Sequence, residues 1–111
     1  MATVTAKNLV GSKFIENAQT TQYTATGVKA LIDKCTVTNI SGAAATFSIN
    51  LVTTGSSGTS NLIIKDQSVG AGQVYTCPEV VGHILEAGGL ISAISNTASA
   101  LVLRVSGREV T

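Results

Sequence analysis

Imidazoles, thiols and carboxylates are the side chains from which hydrolytic, metal and redox centres are built, and this chain is sparing with all three. It has one histidine, His83, and two cysteines, Cys35 and Cys77. One imidazole supplies no His pair for zinc, and a nucleophile–His–acid relay would have to run through this single residue. His83 is therefore read as capping or lining the short stretch around it. The acids Glu16, Asp33, Asp66, Glu79, Glu86 and Glu109 stand seven or more positions apart. That spacing nominates no general acid/base pair, and surface solvation is their expected task. Lys34 adjoins Cys35, but neighbours on a strand point to opposite faces, so the cation does not activate the thiol directly.

The glycine groups at residues 55–58 and 70–72 lack the terminal Lys-Ser/Thr of a phosphate loop and precede no helix, so they read as turns. Phe14, Tyr23, Phe47 and Tyr75 are too dispersed for a base-stacking or sugar-binding shelf. Phe47 is expected in the core, Tyr75 partly so, and Tyr23 nearer the surface. No catalytic, cofactor-binding or metal-binding residue emerges. The chain is read as a non-enzyme working without a cofactor.

Composition narrows the remaining classes. The 111 residues suffice for one hydrophobic core, and only 12% are charged, against about 25% in a typical soluble domain. Lys7, Lys13, Lys29, Lys34, Lys65, Arg104 and Arg108 are scattered and the net charge is +1. No basic stripe exists to neutralise a phosphate backbone, so neither nucleic acid nor an anionic membrane is an expected partner. The longest apolar runs fall far short of a membrane helix, and the first residues do not have the form of a secretory signal. Folding in the cytoplasm of its maker follows as the expectation, with two buried free thiols in preference to a disulfide.

The elements that must carry this surface are strands. Thr, Val, Ile and Ser dominate, broken by Gly and Asn at the spacing of a sandwich or barrel. Alternation puts Leu31, Cys35 and Val37 on one face of a strand that ends near Ile40. Phe47, Ile49 and Leu51 share one face of the next. Ser41-Gly42-Ala43 between them predicts a hairpin, and residues 90–95 and 101–105 predict a second. Residues 54–61 form an exposed tip, and residues 78–88 have helical colouring for one or two turns at most, with Pro78 at the start and Gly88 at the end. The fold expected is a small antiparallel β-sandwich over residues 28–111. Residues 1–27 are read as edge strands or an extended arm ordered against a neighbour. Within that segment Thr3, Val4, Thr5, Lys7, Leu9 and Val10 are the candidate protein-interface residues, adding a strand to another subunit.

Four stretches carry a family resemblance: residues 35–49 (CTVTNISGAAATFSI), 71–75 (AGQVY), 81–91 (VGHILEAGGLI) and 103–111 (LRVSGREVT). Together they resemble the capsid decoration, or staple, proteins of tailed bacteriophages, in particular those of epsilon-fifteen-type Salmonella podoviruses. The resemblance spans residues 28–111. It implies a jelly-roll-like fold, a homodimer on the outer capsid surface of the virion, and the major capsid (coat) protein as partner, with neighbouring coat subunits braced against internal pressure. A tail or tail-fibre accessory module is the alternative within the structural class. A small host-surface ligand-binding β domain is the alternative outside it.

Overall fold

β-branched residues at alternate positions give this chain strands throughout. The computed structural model describes residues 2–111; Met1, the first residue of the extended segment, lies outside them. Among the described residues nine strands form: β1 (Val4–Phe14), β2 (Thr20–Thr24), β3 (Lys29–Asn39), β4 (Ala45–Val52), β5 (Leu62–Val69), β6 (Val74–Tyr75), β7 (Ile84–Leu85), β8 (Leu90–Ser95) and β9 (Leu101–Val110). They make two antiparallel sheets. One has the order β1-β9-β3-β6, with β7 also on β3, and the other has the order β2-β8-β4-β5. β6 and β7 occupy one edge position in two pieces, pairing with opposite ends of β3 through Val37↔Tyr75 and Ala30↔Leu85. Counting them as one gives eight positions. Successive strands switch sheets everywhere except between β4 and β5, which is the wrapping of a jelly roll.

This topology corrects both expected hairpins. β3 and β4 lie in opposing sheets, as do β8 and β9. Residues 40–44 and 96–100 are corners that carry the chain across the sandwich. Alternation reports which side chains face inward, and a strand beside its predecessor and a strand across from it satisfy the same pattern. Asn39 builds the first corner: its Nδ2 donates to the carbonyls of Ala43 (2.8 Å) and Val69 (2.9 Å), while its Oδ1 accepts from the Ser41 amide (2.8 Å) and hydroxyl (2.7 Å). The second corner packs beside it, the Ile40 amide donating to the Ala100 carbonyl at 3.0 Å.

Three further expectations change. On β3 the inward residues are Ala30 and Ile32, then Cys35, Val37 and Asn39, because the register slips between Ile32 and Lys34. That bulge, with Asp33 as the extra residue, turns Leu31 outward. A Cβ on Gly107, opposite the bulge, would collide with the Leu31 carbonyl oxygen, so only glycine fits there. Residues 78–83 form non-helical turns. The helical turn of the chain lies instead at Thr59–Asn61, a single 3-10 turn held by Asn61 Oδ1, which accepts from the Gly58 amide and from Asn50 Nδ2. Tyr23 is buried rather than superficial.

Between the sheets sit Ile15, Ile32, Val37, Phe47, Ile49, Ile91, Leu101, Leu103 and Val105, each at most 1% exposed. Ile15, Tyr23 and Ala25 belong to this core, so the first 27 residues share it with the rest of the chain.

Candidate interaction surface

The polar residues that could have formed a reactive centre are dispersed and individually satisfied. The side chain of His83 is exposed. No group of three or more His, Cys, Asp and Glu side chains gathers in metal-binding geometry among the described residues. Each of the six acids is engaged singly. Asp33 receives both Nε and Nη2 of Arg108 at 3.0 Å, Glu79 accepts the Tyr75 hydroxyl at 2.7 Å, and Glu16 accepts from Lys13 (2.7 Å) and Gln22 (3.0 Å). Asp66 meets Ser48, Glu86 meets Lys29, and Glu109 meets Tyr23 and Lys7.

What the fold does assemble is one continuous outer face, that of the β1-β9-β3-β6 sheet. The strand registers Phe14↔Val102, Val102↔Thr38 and Thr38↔Val74 lay these four residues in a row across all four strands. Phe14 (42% exposed) and Val74 (55%) stand proud at its ends, and Ile40 (60%) lies beside it at the corner. Below the row runs a polar band in which Arg104 donates to Ser12 (3.0 Å) and Asn8 (3.1 Å), and Ser106 donates to Asn8 (3.2 Å). The Arg108–Asp33 fork follows. Asp33 beside it holds the Arg108 guanidinium above its already high range. A shallow depression lined by Ala6, Lys7, Asn8, Asp33, Ser106 and Gly107 lies along this band, across β1, β9 and β3.

That edge is β1. It pairs with β9 alone, so its other side carries unpartnered backbone groups. From Val4 to Asn8 the register against β9 is unbroken. It then slips between Asn8 and Val10 and again between Val10 and Lys13. Bulges of this kind twist an edge away from neighbours, so the part fit to accept another strand is Val4–Asn8. The remaining edges are more broken: β2 slips between Thr21 and Tyr23, β5 runs in register with β4 only over Gln67 to Val69, and β6 and β7 have two residues each.

The six residues expected at an interface divide here. Thr3, Val4, Thr5 and Lys7 lie exposed at or beside the unbroken strip, with Val4 59% exposed. Leu9 and Val10 are corrected: both are buried core residues, because the bulges turn consecutive side chains inward. Lys7 reaches across to Glu109 at 3.3 Å. The Tyr23 hydroxyl donates to the same carboxylate, and this donor, then Lys7, holds Glu109 below the usual carboxylate range. Burial, then the Glu109 charge, pushes the Tyr23 hydroxyl well above its ordinary value.

Sequence reasoning missed the apolar row and the Arg108–Asp33 fork, since their members lie far apart in the chain. The one available signal was Phe14, an aromatic on a segment without a continuous apolar face. Comparison with protein-family models, curated proteins and solved structures returns no match for this chain.

Proposed function

We propose that this chain is a virion structural protein that binds the outer surface of a phage capsid and braces neighbouring coat subunits. The observation that carries the reading is the open Val4–Asn8 edge running into a face whose arginines are already engaged within the chain. Burying an ion requires stripping its water, and a charge already paired within its own chain loses less when a partner covers it. The Phe14-Val102-Thr38-Val74 row supplies the apolar contact, and strand addition at β1 supplies direction and register. A homodimer presenting two such edges would tie two coat subunits at once, so that release of one tie leaves the other to restore it.

The test is sedimentation of the purified chain with mature heads lacking it. The expected result is saturable binding at a fixed ratio to coat protein, with heads that burst at higher temperature when decorated. Val4→Lys combined with Phe14→Asp should weaken binding tenfold or more while leaving the chain folded. Co-sedimentation with tails and not heads would move the protein to a tail accessory role. Binding to neither would refute the virion reading.

A further inference from the structure

The β3–β6 ladder pairs Thr38 with Val74 and Val37 with Tyr75. Continued by two residues, the same register sets Cys77 opposite Cys35. Val37 and Tyr75 turn toward the interior; Cys35, two positions before Val37 on β3, and Cys77, two positions past the end of β6, are both fully buried free thiols, and their side chains neighbour one another. Directly opposed residues of an antiparallel pair have Cα atoms about 4.5–5.5 Å apart, within the roughly 4.4–6.8 Å that a disulfide spans. We propose that Cys35 and Cys77 are a cross-strand thiol pair that closes to an intramolecular disulfide when the chain meets a small-molecule disulfide such as oxidised glutathione. The pair closes in this chain whether or not the chain decorates a capsid.

The local fold dictates how the reaction runs. In the closed state no oxidant reaches either sulfur, and the neighbouring Cys35, then burial, pushes the Cys77 thiol far above its ordinary range. Cys77 nevertheless sits where the edge is weakest. β6 ends at Tyr75, Cys77 takes a positive φ of 48°, and Pro78 follows at the start of the turns that separate β6 from β7. Those turns are held to β3 by two two-residue ladders, by the Gly82 amide and His83 carbonyl on Ile32 (2.7 and 3.0 Å) and by the buried Val80, without a continuous strand between them. Opening of this segment exposes Cys77 before Cys35, which lies in the middle of a central strand.

In the opened state Cys77 loses its proton to water, and its thiolate attacks one sulfur of oxidised glutathione. The glutathione S–S bond breaks, a mixed disulfide forms, and one glutathione thiolate leaves. Closing returns the mixed disulfide to Cys35, whose deprotonated sulfur attacks Cys77 Sγ and releases the second glutathione. The two cysteines are oxidised by two electrons in total. Oxidised glutathione is reduced to two glutathione molecules, which take up the two protons. The product ties the interrupted edge covalently to β3.

The experiment is incubation of the native chain with oxidised glutathione at mildly alkaline pH, with and without urea below the unfolding midpoint. Intact mass and proteolytic mapping read the products. The expected result is loss of two hydrogens with a Cys35–Cys77 linked peptide, faster in urea, and a melting temperature raised by about 5 °C or more that reverts on reduction. A Cys77→Ser variant should gain no stability from the oxidant; should it not fold, the wild-type products decide alone. Stable glutathione adducts, chain-to-chain dimers, or thiols still unreacted in urea would each overturn the proposal.

Discussion

Tyr23 leaves the buried face of β2 and ends on Glu109 of β9, and through that carboxylate on Lys7 of β1, so one hydroxyl ties strands of both sheets. The signs of its pH dependence follow from the two shifts. Glu109 is lowered from an ordinary 4.5, so its contribution is present above that pH and lost as pH falls through its folded value. Tyr23 is raised from an ordinary 10.0, so its contribution is present below that pH and lost as pH rises beyond it. Melting temperature should therefore decline at both ends of the pH range. Tyr23→Phe should shrink both declines while leaving the neutral plateau highest, and an unchanged profile would remove this tie from the account. Gly107→Ala acts through backbone instead: the new Cβ collides with the Leu31 carbonyl, and the forced shift should cost about 1–3 kcal/mol in urea unfolding.

At the scale of elements, the corners decide the topology. Asn39, 1% exposed, satisfies two carbonyls and accepts from Ser41 at the β3–β4 corner. Asn39→Ala takes the side-chain donor from the buried Val69 carbonyl and leaves the exposed Ala43 carbonyl with the Ser41 hydroxyl alone, and should cost about 1–3 kcal/mol by denaturant unfolding; a cost near zero would mean that the corner does not need its clasp. Deleting residues 2–10 removes Leu9 and Val10 from the core along with most of the edge strand β1. Truncation of two core side chains should cost more than about 3 kcal/mol, so surface substitutions at Val4 and Phe14 are the cleaner probes of binding.

The strand segments themselves were legible, because Cys35 and Val37, Phe47 and Ile49, and Leu103 and Val105 each flank a polar residue and, with Leu101, all face inward. Alternation carries no information on which sheet a strand joins, which is why two corners read as hairpins. Nor does it register a bulge, so the phase of β3 before Lys34 came out reversed. The candidate surface was legible at Thr3, Val4, Thr5 and Lys7, where exposure follows from a missing apolar face. It was not legible where registers bring Phe14, Val102 and Val74 together.

At the scale of the whole molecule, the sandwich measures 49 × 26 × 19 Å. One broad face is bounded on one side by an open strand and on the other by the broken β6/β7 edge. Low surface charge makes lasting attachment inexpensive in desolvation, and an edge with five residues in unbroken register fixes direction. Fold alone assigns no role, since jelly rolls serve many; the site must do so. The most direct measurement is amide hydrogen exchange of the chain free and bound to capsid heads. The account predicts slowed exchange over Val4–Asn8 on binding, with β5 and the tip at residues 54–61 unchanged. Protection confined to β5 and that tip, with Val4–Asn8 exchanging as in the free chain, would contradict it.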